Sequence, residues 1–407
     1  MIKQILDLHI HSKYSRACSK KLELSEIAKA CEIRGIDVVA TGDFTHPKWF
    51  ENIKNELVES SEGVYKLKNS ESKTKFILGT EVASIKKHKD KTRRIHLLIF
   101  APNIETAEKF NKTLEKKGFN LRSDGRPILG MSSKDILKLM LEIDERMVMI
   151  PAHAWTPWFG IFGSKGGYDS LEDAFDELAV YIKAIETGLS SNPIMNWRLS
   201  ALDNITLISN SDAHSLQKIG REANIFQFKN EDEVTYKEIM RIIQEGDKKK
   251  FLKTVEFYPE EGKYYADGHR DCKFFCSPEE TKKLKGLCPK CNKPLIIGVL
   301  NRVVELADRT ESQAKKVNKI PYKSIVPLVE ILAGVLDKGV STKTVQKEYN
   351  NLIDKIGNEF SILLDTKIEE IEKVSGDKIA KAVDKVRKGE VILTSGFDGE
   401  FGEVHIK

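Results

Sequence analysis

Over roughly the first 210 residues, short apolar, β-branched stretches alternate with longer ones in which apolar residues recur every three or four positions, so strands and helices are predicted in turn. The predicted strands are ILDLHIH, IDVVATGDF, FILGTEV, RIHLLIF, MVMIPAHAW, YIKAIETG and ITLISNSDAH. The helical patterns between them include LELSEIAKACEIRG, closed by Gly35 as a C-cap, KDILKLMLEIDE and LEDAFDEL. This alternation predicts an α/β fold with a largely parallel sheet, open or closed into a barrel.

Further along the pattern changes. A charged helical stretch, EVTYKEIMRIIQEGDKKKFL, leads to a cysteine-bearing segment (GHRDCKFFC, LCPKCNKP) and then to lysine-rich helices ending in GFDGEFGEVHIK. The expected units are a barrel over 1–230, a helix and connector over 231–262, a small metal-binding module over 263–300 and a helical region over 301–407. No internal repeat or low-complexity tract interrupts them.

With 407 residues, 40% of them hydrophobic and 31% charged, the chain can build a large core without disulfides. Its net charge of +5, from 66 Lys plus Arg against 61 Asp plus Glu, allows a polyanionic partner without requiring one. Charged residues follow the start at once and no apolar run approaches the ~20 residues of a membrane helix, so a cytoplasmic protein without membrane contact is expected. In a reducing compartment, four of the six cysteines crowded between Cys272 and Cys291 point to metal rather than disulfides.

Each predicted strand ends in, or just before, a possible metal ligand: His9 and His11, Asp43, Glu81, His96, His153, Glu186, then Asp212 and His214. A single strand histidine is usually a core or surface residue. Here five of nine histidines occupy such positions, and strand ends of a barrel converge on one mouth. Residues i and i+2 of a strand face one side, so His9 with His11, and Asp212 with His214, can address a common centre. These four are the candidates for carrying the chemistry. Mixed imidazole and carboxylate ligands in this number imply two or three divalent ions (Zn, Mn, Fe or Mg), a set suited to phosphoester hydrolysis, with amide hydrolysis and deamination ranked below.

In the cysteine segment, Cys288-Pro-Lys-Cys291 is half of a tetrahedral zinc site. The other half is His269 with Cys272, which has the matching spacing, with Cys276 as the alternate. The segment is too polar to form a core of its own, and a structural zinc can supply that stability. Arg270, Lys273, Lys282, Lys283 and Lys285 make a basic surface beside it, although most such charges are simply solvated.

The series HIH, TGD, GTE, a histidine after the fourth strand, PAH and SDAH resembles the polymerase and histidinol phosphatase (PHP) superfamily, a resemblance that implies a distorted seven-stranded barrel with up to three metal ions. Relatives commonly read Asp-His after the second strand, whereas this chain has Asp43-Phe44. Either Asp43 ligates there or one ion is held differently. TGDFTHPKW, PAHAWTPWFGIFGSKGGYDS, IIGVLNRVVELADR, IPYKSIVPLVEIL and GFDGEFG extend the resemblance over nearly the whole chain, to the endonuclease Q family of DNA repair nucleases.

That resemblance implies cleavage of single- or double-stranded DNA on the 5′ side of deoxyinosine, deoxyuridine or an abasic site, leaving a 3′ hydroxyl and a 5′ phosphate. A sliding clamp is a further candidate partner. The alternatives are a PHP-type phosphomonoesterase, a 3′-5′ exonuclease, or a binding protein with an inactive barrel. Reading a base edge requires the nucleotide outside the stack. Trp155, Trp158, Phe159 and Phe162, with Gly163, Gly166 and Gly167, form the loop expected to receive it; the bland alternative is that these aromatics cap the core. Trp49 and Phe50 carry the same idea with less support. KKHKDKTRR and DKKKFLK are candidate phosphate tracks.

Overall fold

A computed structural model describes residues 1–88 and 91–406; Lys89 and Asp90, within the KKHKDKTRR stretch, and Lys407 lie outside the described residues. The chain begins with β1 (Ile2–Asp7), β2 (Val38–Ala40), the hairpin β3 (Leu57–Ser61) and β4 (Val64–Leu67), and the long β5 (Lys75–His88) and β6 (Lys91–Ala101). Then come the short β7 (Ile128–Leu129), β8 (Val148–Pro151), β9 (Ala184–Glu186), β10 (Thr206–Ile208), β11 (Ala223–Phe228) and β12 (Phe251–Glu256).

Each of the seven predicted strands corresponds to one of β1, β2, β5, β6, β8, β9 and β10, which together form the wall of a distorted barrel. β1–β2, β2–β5 and β9–β10 pair in parallel. The ring closes through single bonds: Ala154 N donates to Glu186 O at 2.9 Å, Leu8 N donates to the Asn210 side chain at 2.8 Å, and Ile10 bridges Ala213. Wall strands alternate between two buried sets. Leu6, Val38, Ala40, Ile77, Leu98, Phe100, Ile150, Ala184 and Ile208 face one apolar cluster. Their neighbours Ile5, Val39, Phe76, Leu78, Leu97, Ile99, Met149, Ile185 and Leu207 face the other, under the helices. Burial on both faces explains why these strands read as apolar runs rather than as alternating ones. The helix Tyr236–Glu245 packs on the first cluster through Ile239, Met240, Ile242 and Ile243.

The prediction of a largely parallel sheet is corrected by β6, which is antiparallel to both β5 and β8. Its connection to β5 is far too short for the crossover a parallel pair needs, so the two form a hairpin. Glu81 and His96 consequently sit within strands, opposite Leu98 and Ala83, and not at strand ends.

The cysteine segment folds as the hairpin β13 (Asp267–His269) and β14 (Phe274–Cys276) and the helix Pro278–Lys283, whose Ser277 and Glu280 form a capping box. The boundaries expected for the barrel also need correction. β12 extends the main sheet antiparallel to β11, and β15 (Tyr322–Ser324) adds in parallel to β12. Phe251 packs on Phe226 with ring centroids 4.5 Å apart, so 251–256 is core and not connector. Among the described residues four α-helices follow, Leu328–Leu336, Lys343–Ile356, Ile368–Ser375 and Asp377–Lys388, with a π-helical turn at Ser361–Asp365 between the second and third, then the antiparallel pair β16 (Val391–Thr394) and β17 (Glu403–Ile406). Buried Glu359 anchors them: it accepts from Leu328 N and the Tyr349 hydroxyl and pairs with Arg34 of the barrel. Among the described residues no helix is long and apolar enough to cross a membrane.

Candidate metal centre and cleft

Past the end of β1 the chain stays extended through His9 and His11, and this segment is tied to the loop after β10 by Asp7. The buried Asp7 carboxylate accepts from Ser211 N at 3.1 Å and Gly220 N at 2.9 Å, joining the segment of His9 and His11 to that of Asp212 and His214. Burial pushes its carboxyl up to about 6. Asp43, His153 and Asp212 all have positive φ (46°, 28° and 46°), a backbone region that costs a side-chain-bearing residue energy and that clusters at functional sites.

Two groups of donor atoms result, each within 4.8 Å internally: His9, His11 and Asp212, and Glu81, His96 and His153. Glu81 links them. One of its oxygens lies 2.8 Å from His96 Nδ1 and 3.2 Å from His153 Nε2, the other 3.4 Å from His11 Nε2 and 3.7 Å from His9 Nε2. Three rings are held from behind. His9 Nδ1 donates to Glu186 at 3.1 Å, His11 Nδ1 to Asp43 at 3.0 Å and His153 Nδ1 to Thr156 Oγ1 at 2.9 Å, which turns each Nε2 toward the centre. His9 Nε2 is buried with no hydrogen-bond partner. An orphaned imidazole nitrogen beside two carboxylates fits a cation.

Asp43 and Glu186 stand behind these rings. Asp43 Oδ2 accepts from Ser12 N, Ser12 Oγ and Ser15 Oγ, while Glu186 accepts from His153 N and Asn210 Nδ2. Neither belongs to the two donor groups. His214 packs on His11 with ring centroids 4.6 Å apart and donates to Asp212 O, at the edge of the centre.

Burial alone would raise the carboxyls, yet the Arg126 guanidinium and the His9 ring beside Glu81 hold it well below the usual carboxylate range, and His9 and His11 do the same for Asp212. Burial pushes His96 down to about 4, leaving it neutral. The neighbouring carboxylates instead raise His9 and His11 well above the ordinary imidazole value against the opposing effect of burial, so a metal ion bound there would displace their protons.

The centre opens into a cleft of about 750 Å³. His96, His153, Asp212 and His214 lie in one wall, and Trp158, Tyr264 and Phe401 supply aromatic surface. Of the residues expected to receive a base, Trp158 and Phe159 line the cleft, with Phe159 stacked on His96 at 4.2 Å between centroids. The others are corrected. Trp155 is buried, its Nε1 donating to Asn196 at 2.7 Å, and Phe162 packs against it. Gly163 and Gly167 are glycines because a Cβ would strike loop backbone at 2.3 Å, and Gly166 lies against Arg94; none of the three borders the cleft. Trp49 and Phe50 are buried too, with Trp49 Nε1 bonded to Thr41 O and Gly42 O. Trp and Phe near a ligand are equally useful for roofing the core, and sequence cannot separate the two uses. Arg126, Tyr264 and Phe401 were missed because their segments reach the cleft only through folding. The SDGRP turn and GFDGEFG were the available signals.

His269, Cys272, Cys288 and Cys291 bring one donor atom each within 4.8 Å of one another, and His269 Nδ1 is 3.5 Å from Cys291 Sγ. Four such donors fit a closed tetrahedral zinc site. Cys276, the alternate, points elsewhere and pairs with Thr281 Oγ1 at 3.2 Å.

Residues 327–390 match the family described as the MJ0043 C-terminal domain. The chain is 30% identical over 279 residues to the uncharacterized protein MJ0043 of Methanocaldococcus jannaschii, a match covering 67% of this chain and 34% of that protein. It is 28% identical to the uncharacterized protein YqxK of Bacillus subtilis, over 99% of this chain and 100% of that one. Among solved structures it is similar to the lesion-specific endonuclease PfuEndoQ from Pyrococcus furiosus, with a TM-score of 0.87 and 32% identity over 100% of this chain and 96% of that one. Endonuclease Q in complex with a 27-mer duplex substrate with an abasic lesion at the active site matches with the same score and identity, over 97% of that chain.

Proposed function

Because the chain belongs to the endonuclease Q family, we propose that it is a metal-dependent DNA repair endonuclease that cuts a strand on the 5′ side of a deaminated base or abasic site. The observation that carries this reading is the cleft itself. It joins the two donor groups to aromatic walls in a space the size of a typical ligand pocket, ~300–1,000 Å³.

His9, His11 and Asp212 would hold one divalent ion and Glu81, His96 and His153 another, with zinc, manganese, iron and magnesium all compatible with such ligands. When bound, these ions supply Lewis acidity and charge neutralisation for phosphodiester hydrolysis. The chain's own residues do the rest. Glu186, Asp43 and Thr156 fix the tautomer and direction of three imidazoles. Lys218, Arg221 and Lys263 line the cleft and favour an anionic strand. Trp158, Tyr264 and Phe401 offer faces on which an extruded base can stack.

One pocket can serve hypoxanthine and uracil, because deamination turns an amine donor into a carbonyl and the adjacent ring nitrogen into an N–H donor. A site built for that pattern leaves adenine or cytosine with unpaired groups, at ~1–3 kcal/mol each. The cysteine site would hold one structural zinc and keep the Lys263–Tyr264 edge of the cleft in place.

The test uses 5′-labelled duplexes carrying deoxyinosine, deoxyuridine or an abasic site, each beside its undamaged control, with Mg²⁺, Mn²⁺ or Zn²⁺. A single product ending one nucleotide before the lesion is expected. A ladder shortening from the 3′ end would instead mark an exonuclease, and hydrolysis of small phosphate esters alone a phosphomonoesterase.

A further inference from the structure

Resting on the reading of this centre as a phosphodiesterase, we infer that Arg126 is a catalytic residue whose guanidinium binds a non-bridging oxygen of the scissile phosphate beside the two metal groups. Arg126 lies in the cleft wall with His96, His153 and Asp212. Its Nη1 donates to Glu81 Oε2 at 2.9 Å, which places a permanent positive charge at the carboxylate that links both donor groups. Among the described residues this is the guanidinium's single hydrogen bond, and the side chain is 24% exposed, toward the cleft. An arginine has five N–H donors in a planar fork suited to a phosphate, so most remain available for a ligand.

The backbone delivers this side chain firmly. Gly125 N donates to Tyr14 O, Gly125 O accepts from Thr45 Oγ1, and Pro127 O accepts from Ala83 N of β5. A Cβ on Gly125 would stand 2.3 Å from Asp43 Oδ2 and 2.4 Å from Ser15 Oγ. The turn therefore docks directly on the carboxylate that orients His11, and only glycine permits the approach. Just beyond it, β7 pairs with β5 at Ala83 and Ser84, close to Glu81 in the same strand. A residue needed only to neutralise Glu81 would not require a separate turn fitted against the His11 support.

Asp43 explains what the charge is for. It accepts from His11, Ser12 and Ser15, and the next residue, Phe44, is buried in the core and offers no donor atom. No third group of donors forms there among the described residues. Arg126 places a cation on the Glu81 side of the centre instead. In the reaction, water adds to phosphorus, the P–O3′ bond breaks, the leaving 3′ oxygen takes a proton, and the other product is a 5′ phosphate. Arg126 neither gives nor takes a proton. It stabilises the negative charge that grows on the non-bridging oxygens.

The experiment compares the wild-type protein, Arg126→Lys and Arg126→Ala in single-turnover cleavage of an abasic-site duplex, with duplex affinity, metal content and unfolding midpoint measured alongside. A loss of ~10²–10³-fold in rate is expected for Arg126→Ala, with DNA affinity within a few-fold and metal content unchanged. Arg126→Lys should fall between, and free guanidinium should partly restore Arg126→Ala. A stereospecific phosphorothioate at the scissile position should slow the wild type more than Arg126→Ala for one isomer. Wild-type rates in Arg126→Ala would overturn the inference, as would a rate loss matched by metal loss with an unaltered phosphorothioate effect, the mark of a residue that only sets Glu81. Running the same variants on bis(p-nitrophenyl) phosphate separates the failures. If the wild type hydrolyses this diester but no lesion duplex, the repair reading falls and Arg126 is judged on the diester.

Discussion

The barrel centre and the cysteine module both gather histidine with carboxylate or thiol side chains, but they are built in opposite ways. In the barrel the donors come from segments spread from His9 to Asp212, and their rings are held by Glu186, Asp43 and Thr156 deep in a wall that is packed on both faces. In the module all four donors fall between His269 and Cys291, and the local apolar cluster is only Cys276, Cys288 and Leu295 with a few half-buried neighbours. A site organised by its fold can leave coordination positions open for substrate. A fold organised by its site must close them.

The sharpest way to break this contrast is to remove a ligand from each side. Asp212→Ala or His9→Ala should cost at least ~10³-fold in lesion-duplex cleavage while the unfolding midpoint moves by only a few degrees. Unaltered cleavage in either variant would remove the metal centre from the chemistry. Cys288→Ser should do the reverse. It should release one zinc per chain by metal analysis, expose 263–300 to limited proteolysis and weaken duplex binding, whereas an unchanged zinc count would show that this cluster does not ligate.

Asp43→Asn tests the support behind the barrel ligands. Weakening the bond that orients His11 should reduce metal affinity or cleavage about 10–100-fold with the fold intact, measured by metal titration. A wild-type titration would make Asp43 a bystander.

Glu261 lies where the two regions meet. It lines the cleft with one buried, unpartnered oxygen, and burial, with Glu330 adding to it, pushes its carboxyl from 4.5 up to about 9. Between these values the folded protein keeps a proton that the unfolded chain has lost, so this group lowers stability as pH rises through that window. Glu261→Gln should therefore match the wild type near pH 4 and exceed it by at least ~1 kcal/mol at pH 8, read by denaturant unfolding. A constant difference across pH would contradict the buried acid. The smallest effect is expected from Cys276→Ser, which should leave the zinc count unchanged because its sulfur faces Thr281.

Much of the barrel was legible because strands buried on both faces leave continuous apolar runs, and because HIH, PAH and SDAH put ligand types beside those runs. Strand direction was not legible. RIHLLIF looks the same running either way, and only the β5–β6 hairpin fixed it. Composition could not separate structural from functional aromatics either: Trp155 and Trp158 are three residues apart, one sealed against Asn196 and the other in the cleft wall.

The sequence by itself determined which His, Asp, Glu and Cys side chains are candidate donors, the strands beside which most of them lie, and the His269-Cys272 and Cys288-Cys291 spacing, since local geometry and chemistry are written in short stretches of chain. The tertiary structure alone decided that Asp43 and Glu186 support histidines, that Arg126 reaches Glu81, and that Phe401 and Trp158 line one cleft. These depend on how remote segments pack, and no local pattern records which atoms a carboxylate or guanidinium meets across the fold.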